Sequence, residues 1–138
     1  MSGVYKLKAL VTGGCGFVGS HLVDTLVMAG YDVTVIDDLS SGSKEWNNAS
    51  AKYVYSDFAD VMASFISSSK QELKDQGMLF DVVFHLAAEA RIQPSFEDPL
   101  YTCHNNSYGS AVVAEYARRS GCKVVYAGSS SYYGGVYL

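Results

Sequence analysis

The fold is decided near the amino end, by the sequence TGGCGFVGSHL at residues 12–22. Apolar, β-prone residues precede it at 7–11, and the segment after Gly19 has the spacing of a helix that ends at Gly30. The glycines fit both G-x-G-x-x-G and G-x-x-G-x-x-G, patterns that leave bare backbone facing a ligand. Because backbone N–H groups at a helix start attract phosphate, the sequence predicts a loop that holds the pyrophosphate of a dinucleotide.

A second predicted strand, residues 31–36, is followed by Asp37, which stands 18 residues after Gly19. An acidic residue at about this distance binds the adenosine ribose hydroxyls in dinucleotide-binding domains. The carboxylate repels the 2'-phosphate of NADP, so NAD is the predicted cofactor, although Asp38, Ser40 and Ser41 leave NADP as an alternative. A plain glycine-rich turn followed by a surface aspartate is the competing interpretation, and the order strand, loop, helix, strand, acid disfavours it.

Length and composition limit the classes of protein that this chain can represent. The 138 residues, 49% of them hydrophobic, predict a single domain over residues 1–138 with a core of ordinary size, and the glycine loop makes it an NAD(P)-binding domain. The net charge is −4 and the ten basic residues form no patch, which argues against nucleic acid and membranes as partners. The amino end has no apolar signal core, and we expect a cytoplasmic protein.

Three cysteines and three histidines are spread widely along the chain. An odd number of separated cysteines fits a reducing compartment, and the cysteines and histidines do not combine at any zinc-ligand spacing. We therefore expect free thiols and no metal site. Cys15 lies inside the glycine loop, where it is interpreted as incidental. As an alternative, the helix start would favour its thiolate and make it a candidate for modification that NAD protects against.

The rest of the chain repeats a strand-then-helix rhythm. The predicted elements are strands at 52–55, 81–86 and 123–127, helices at 60–74 and 107–120, and an irregular stretch at 87–106. This alternation predicts an α/β fold, a Rossmann-like doubly wound parallel sheet with strand order 3-2-1-4-5 that stops after strand five. Strand five would form an apolar edge, which further chain, a homo-oligomer or a separately encoded carboxyl-terminal half would cover.

Four motifs, in order, resemble a known family. They are TGGCGFVGSH at 12–21, DDLSSG at 37–42, HLAA at 85–88 and SSSYYG at 129–134. Together they resemble the NAD-dependent epimerase/dehydratase family, closest to its nucleotide-sugar 4-epimerases, over Lys8 to Gly134. The resemblance implies NAD as the cofactor and a nucleotide sugar as the substrate. A hydride transfer would give a keto-sugar that is then reduced again or dehydrated.

The resemblance also assigns roles to individual residues. The glycine loop would line the pyrophosphate, the residues after strands two and three would bind adenosine, and those after strand four would lie near the nicotinamide. These cofactor-binding residues are Gly13, Gly16, Phe17, Val18, Gly19, Asp37, Asp38, Ser41, Asp57, Phe58, Leu86, Ala87, Ala88 and Asn106. Ser129 matches the catalytic serine or threonine that aligns the sugar hydroxyl, because it stands five residues before Gly134.

The family's catalytic Tyr-x-x-x-Lys pair does not follow Ser129 within residues 1–138, nor does its carboxyl-terminal substrate domain. We expect these residues alone to bind NAD weakly and to convert no substrate. Three interpretations stay open: the NAD-binding part of a nucleotide-sugar epimerase, truncated or completed by a separate chain; a non-catalytic NAD-binding module; and an interaction module without cofactor. The apolar edge predicted at strand five favours the first.

Overall fold

A computed structural model describes residues 3–135 of the chain. Its five strands are β1 (Lys8–Thr12), β2 (Asp32–Asp37), β3 (Lys52–Tyr55), β4 (Val82–His85) and β5 (Lys123–Tyr126). They form one parallel sheet in the order β3-β2-β1-β4-β5, which confirms the predicted fold class and strand order. Because all strands run the same way, their carboxyl ends meet at one edge, where Thr12, Asp37 and His85 end three neighbouring strands.

Helices cover both faces of the sheet. They are α1 (Phe17–Met28), α2 (Phe58–Ser67), α3 (Lys70–Asp75), α4 (Ile92–Glu97), α5 (Pro99–Cys103) and α6 (Gly109–Ser120). Along β1, Val11 packs in the cluster that contains the buried residues of α1, whereas Leu10 packs in the cluster that contains those of α2 and α6. Successive strand residues therefore bury opposite faces, as expected for a sheet covered on both sides.

Helix α1 begins at the glycine loop, as predicted. Val23 and Leu26 of its inner side are buried, and the chain leaves the helix through Gly30. Gly30 has a φ of 88°, a left-handed conformation that glycine adopts without strain. The predicted helix termination at Gly30 is confirmed.

The helix predicted over residues 60–74 was wrong in its continuity, because the structure has two helices there, α2 and α3. The break lies at Ser68 and Ser69. The Ser69 side chain accepts a hydrogen bond from the Glu72 N–H, and the Glu72 carboxylate accepts one from the Ser69 N–H. This capping box satisfies two backbone donors at a new helix start, so it stabilises the break.

The prediction of an irregular stretch over residues 87–106 was also wrong, since α4, α5 and a π-helical turn at His104–Tyr108 occupy most of it. The Asp98 side chain accepts a hydrogen bond from the Tyr101 N–H, and Pro99 is the first residue of α5. An acidic cap followed by proline starts a helix, because proline lacks only an N–H that would have no partner there. Within residues 3–135, none of the helices combines the length and apolar character needed to cross a membrane.

The outer edge of β5 is exposed, as the sequence predicts. Val125 and Tyr126 keep 49% and 63% of their surface accessible, although the strand is apolar. β5 pairs only with β4 among the strands that the structure describes. An apolar parallel strand at a bare edge is uncommon, because unpaired backbone groups invite association.

Candidate functional site

A cavity of about 510 Å³ opens at the carboxyl edge of the sheet, between the loops that follow β1, β2 and β4. Its size lies within the range of small-molecule and cofactor sites. Nine of the predicted site residues line it: Gly13, Gly16, Asp37, Asp38, Ser41, Phe58, Leu86, Ala87 and Ala88. The sequence motifs thus meet in one place, at the switch point of the sheet where α/β proteins bind ligands.

The glycine loop is packed so tightly that three of its glycines, Gly13, Gly14 and Gly19, cannot carry a side chain. A Cβ on Gly14 would stand 2.5 Å from Cγ1 of the buried Val35. Gly13 has a φ of 75°, and a Cβ on it would stand 2.9 Å from the Ala87 backbone nitrogen. A Cβ on Gly19 would overlap the Gly13 carbonyl oxygen and stand 2.7 Å from the Gly14 Cα. Gly16 differs, because its Cβ would meet only the Gly13 oxygen, at 3.5 Å. Gly16 therefore faces the cavity with bare backbone.

The start of α1 keeps its first backbone N–H groups free of side-chain caps. Gly16 is the N-cap, and no side chain accepts a hydrogen bond from the first turn. In α2, by contrast, Asp57 accepts hydrogen bonds from the N–H groups of Ala59 and Asp60. The first turn of α1 also contains no acidic residue. An uncapped helix start beside a cavity can donate hydrogen bonds to phosphate oxygens and presents the positive end of the helix dipole.

Asp37, at the end of β2, ties the glycine loop to the loop that follows β2. One carboxylate oxygen accepts a hydrogen bond from the Cys15 N–H at 2.9 Å, and the other accepts one from the Leu39 N–H at 2.8 Å. The side chain is almost buried, and it lines the cavity. Because each oxygen keeps a further lone pair, the carboxylate can also accept hydrogen bonds from ligand hydroxyls.

Cys15 is enclosed by the loop after β2. The Ser43 N–H donates to the Cys15 carbonyl at 3.0 Å, and a Cβ on Gly42 would stand 2.8 Å from the Cys15 carbonyl carbon. The thiol is 1% exposed, and burial, with the nearby Asp37 carboxylate, raises its pKa to about 11. The expectation of a thiolate favoured by the helix start was therefore wrong, because desolvation outweighs the helix dipole here.

Cysteine alkylation tests this conclusion. With iodoacetamide at pH 7.5, we expect the exposed Cys103 to be labelled first and Cys15 to react slower by roughly a hundredfold or more, because its thiolate fraction is small and its sulfur is buried. Peptide mass spectrometry over a time course measures both rates in one sample. Labelling of Cys15 as fast as Cys103 in folded protein would contradict the enclosure. The Cys103→Ser variant is the control, because it shows the labelling rate of Cys15 without a reaction at Cys103.

The segment after β4 forms the opposite wall of the cavity. Asn106 holds it with two hydrogen bonds, accepting from the Glu89 N–H at 2.8 Å and donating to the Glu89 carbonyl at 2.9 Å. On the other side, the Ala87 N–H donates to the Thr12 hydroxyl at 3.2 Å. Asn106 does not line the cavity, and it acts on the wall through the backbone of Glu89. Asn106, expected among the cofactor-binding residues, thus contacts the segment after β4 and not the cavity itself.

Further wall residues come from the loop before α4 and from α4 and α5. By the family resemblance, the sequence placed Glu89 and Arg91 either beside a sugar pocket or among solvated loop residues, and it missed Pro94 and Tyr101. Glu89, Arg91, Pro94 and Tyr101 line the cavity, and the Tyr101 hydroxyl lies 3.5 Å from an Asp38 carboxylate oxygen. Arg91 is the one basic side chain among the described residues that line it. The Asp98-Pro99 helix start was the available signal, because it predicts α5 and hence a folded wall instead of a loose loop.

Besides Asn106, five predicted site residues lie outside the cavity lining and make other contacts. Phe17 and Val18 begin α1, and their side chains are exposed. Asp57 caps α2. Ser129 follows β5 and caps a short 3₁₀ turn at Ser130–Tyr133, its hydroxyl 2.6 Å from that of Ser131. Gly19 packs on the glycine loop, as described above.

Asp57, Asp60 and His104 bring three potential metal ligands together, although no metal site was expected from the sequence. Their ligand atoms lie within 4.8 Å of one another. The His104 Nε2 is 3.4 Å from the Asp57 carboxylate and 3.8 Å from that of Asp60. The capping role of Asp57 and its contact with His104 account for the cluster, because acidic side chains gather at helix starts.

The fold and the cavity together define a class of protein. A parallel sheet of order β3-β2-β1-β4-β5, a glycine loop before α1 and an acid at the end of β2 are the features of a Rossmann-like dinucleotide-binding fold. The family model described as "NAD dependent epimerase/dehydratase family" matches residues 9–137. The chain belongs to that family, and NAD, the predicted cofactor, is the one that the family description names.

Relatives with known names agree with this family assignment. The putative UDP-glucose 4-epimerase of Methanocaldococcus jannaschii is 37% identical over 129 residues, 93% of this chain and 39% of that protein. The UDP-glucose 4-epimerase of Thermotoga maritima, solved with UDP-glucose, is 32% identical with a TM-score of 0.81 and covers 96% of this chain and 41% of its own. The Thermus thermophilus UDP-glucose 4-epimerase, solved in complex with NAD, is 30% identical with a TM-score of 0.71. The match covers 86% of this chain and 36% of that protein. The chain spans about two fifths of the length of these relatives.

Proposed function

We propose that residues 1–138 form one dinucleotide-binding domain, the NAD-binding part of a nucleotide-sugar epimerase or dehydratase, most nearly a UDP-glucose 4-epimerase. The observation that carries this proposal is the cavity at which the glycine loop, Asp37 and the HLAA segment converge. The names of the relatives, UDP-glucose 4-epimerases solved with UDP-glucose or with NAD, support the sugar and the cofactor. The widely spaced cysteines support a cytoplasmic location.

Cofactor binding in this proposal uses the three walls of the cavity. The pyrophosphate lies against Gly13, Gly16 and the uncapped N–H groups of Phe17 and Val18, where a helix start attracts negative charge. Gly19 lets the helix pack close enough for those N–H groups to reach the ligand.

The adenosine lies on the side of the second strand. Asp37 accepts hydrogen bonds from its ribose hydroxyls, with Asp38 and Ser41 beside them. Phe58 offers an apolar surface to the adenine, and Asp57 contributes by fixing the start of α2.

The nicotinamide half lies toward the segment after β4. Leu86, Ala87 and Ala88 present small and apolar surface to the ring, and Asn106 keeps their backbone in place through Glu89. When bound, NAD accepts a hydride from a sugar carbon and returns it. Ser129 aligns the sugar hydroxyl from the end of β5, and no Tyr-x-x-x-Lys pair follows it within residues 1–138. We therefore expect these residues by themselves to bind the cofactor without turnover.

Calorimetric titration with NAD tests the proposal. We expect one NAD per chain, and at least tenfold weaker binding of NADP, because the Asp37 carboxylate repels a 2'-phosphate. Folded protein that gives no heat with millimolar NAD or NADH would reject cofactor binding.

Conversion of UDP-galactose to UDP-glucose distinguishes an epimerase part from a non-catalytic NAD-binding module. The assay adds candidate carboxyl-terminal chains to the NAD-loaded domain, and a nucleotide-sugar dehydratase assay runs in parallel. Turnover that requires both chains supports the epimerase part. NAD binding without turnover in the presence of any of the partners favours the non-catalytic NAD-binding module.

A further inference from the structure

His85 is a buried polar residue for which the proposed cofactor contacts give no role. It ends β4, and its side chain is 3% exposed. Its Nδ1 lies 2.7 Å from the Thr12 hydroxyl of β1, and its Nε2 lies 3.2 Å from the Ser110 hydroxyl of α6. A buried imidazole with a partner on each nitrogen joins two strands and a helix at the edge of the cavity.

The partners decide which nitrogen carries the proton. The Ser110 hydroxyl donates its single proton to the Asn106 carbonyl at 2.7 Å, so it must accept from His85, and Nε2 carries the hydrogen. The Thr12 hydroxyl accepts from the Ala87 N–H at 3.2 Å and donates its own proton to Nδ1. All the hydrogen bonds then run in one direction, from Ala87 through Thr12 and His85 to Ser110 and Asn106. In this arrangement the imidazole ring of His85 is neutral.

Both ends of this chain of hydrogen bonds reach the wall of the cavity. At one end the Thr12 hydroxyl holds the Ala87 N–H. At the other, Ser110 bonds the backbone of Asn106, whose side chain makes two hydrogen bonds to the backbone of Glu89. Residues 87 and 89 are thus fixed from opposite sides by one network with His85 at its centre.

We propose that His85, as the neutral Nε2–H tautomer, is a positioning residue that fixes residues 86–89 in the shape that receives the cofactor. The statement that this segment receives the cofactor rests on the proposed function. The statement that His85 fixes the segment does not. His85 acts through Thr12 and Ser110 and lies outside the cavity lining.

Protonation of His85 would break the directed chain. A hydrogen on Nδ1 would face the Thr12 oxygen, which already accepts from Ala87, and the Thr12 proton would lose its acceptor. Burial disfavours a charged ring here. The aromatic side chains beside it are Phe58 of α2, at 5.1 Å between centroids, and Tyr126 of β5, at 5.8 Å. The Tyr126 phenol is the titratable group among these neighbours, and Thr12 of β1 and Ser110 of α6 are neutral.

Stability should therefore fall in mildly acidic solution. Burial lowers the pKa of His85 below its ordinary value of 6.5, so the unfolded chain takes up a proton first as the pH decreases. We expect this contribution to be complete above about pH 6.5 and to be lost as the pH falls toward the lower pKa of the folded state. Urea unfolding at pH 7.5 and 5.5 measures it, and His85→Asn, which cannot titrate, should show a smaller decrease.

Long-range ¹H–¹⁵N spectra of histidine-labelled protein test the tautomer directly. We expect His85, assigned by its loss in His85→Asn, to be neutral at pH 7 with the hydrogen on Nε2. A cationic ring, or a hydrogen on Nδ1, would overturn the proposal whether or not NAD binds.

A matched pair of Thr12 variants tests the positioning. Thr12→Val keeps the side-chain shape but removes the hydroxyl, whereas Thr12→Ser keeps the hydroxyl. We expect Thr12→Val to speed amide exchange at Ala87 and Glu89 and to weaken NAD binding about tenfold, with Thr12→Ser within about threefold of the wild type. Tyr116→Phe, which loses buried hydrogen bonds to Phe80 and Met78 away from the cavity, controls for stability and should leave NAD affinity unchanged.

The outcomes separate the two proposals. If wild-type protein binds no NAD while Ala87 and Glu89 exchange faster only in Thr12→Val, the proposed function fails and the positioning role stands. If NAD binds the wild type and both Thr12 variants equally, with unchanged exchange at these amides, the role of His85 is rejected and cofactor binding stands.

Discussion

Gly19→Ala is expected to destabilise the protein by more than about 4 kcal/mol, which would leave it largely unfolded, because such losses approach the whole stability of a small domain. The added Cβ would overlap the Gly13 carbonyl oxygen and crowd the Gly14 Cα. Both are backbone atoms of a loop that also contacts Ala87, so they cannot move aside as a flexible side chain can. Urea unfolding followed by circular dichroism measures the loss.

Gly16→Ala is the matched control in the same loop. Its Cβ would meet only the Gly13 oxygen, at an ordinary 3.5 Å, and the φ of −79° suits alanine. We expect a change in the free energy of unfolding below about 1 kcal/mol, together with weaker NAD binding, because a methyl group enters the space proposed for the pyrophosphate. Equal stability of the Gly19 and Gly16 variants would show that the close packing of α1 on the loop is not as described.

Asp37→Asn should have the second largest effect, lowering the free energy of unfolding by about 2–3 kcal/mol and NAD affinity at least tenfold. Each carboxylate oxygen accepts a backbone N–H, from Cys15 and from Leu39. An amide has only one oxygen, so its NH₂ group must face one of these donors and leave it without an acceptor. Urea unfolding and calorimetry with NAD give the two quantities.

Asp38→Asn is the matched control: it removes the same charge at the adjacent residue and keeps both hydrogen-bonding contacts of that side chain. Its oxygen can still accept from the Ser40 N–H, and its NH₂ group can donate to the Tyr101 hydroxyl. We expect stability within about 0.5 kcal/mol of the wild type and a much smaller loss of NAD affinity. Similar losses in both variants would mean that net charge at the cavity, and not the hydrogen bonds of Asp37, accounts for the effect.

Secondary structure could be predicted where one local signal dominated. Predicted β3 agrees with the observed strand at both ends, and the other strands differ by a single residue at one or both ends, because runs of apolar β-prone residues bounded by turns are local. The α2–α3 break was missed although Ser69 and Glu72 have the spacing of a capping box. One continuous helix was predicted because Phe65 and Leu73 have the spacing of a single apolar face, and both are buried.

The site could be predicted only as far as the motifs reached. Gly13, Asp37 and Ala87 were expected at the cavity and line it, because each follows a strand whose carboxyl end faces the same edge. Tyr101 was missed, since its presence at the wall depends on how α5 folds back. The enclosure of Cys15 was also missed, because the residues that cover it come from 42 and 43, far beyond the loop itself.

The sequence by itself determined the alternation of strands and helices, the parallel sheet and the glycine loop, because these follow from local periodicity and from the need for bare backbone at a helix start. The tertiary structure alone decided that Gly19 admits no Cβ, that the Cys15 thiol is buried, and that Thr12, His85 and Ser110 form one directed network. The physical reason is distance along the chain: Thr12 and His85 are 73 residues apart, and a hydrogen bond depends on two groups meeting in space, which no local pattern records.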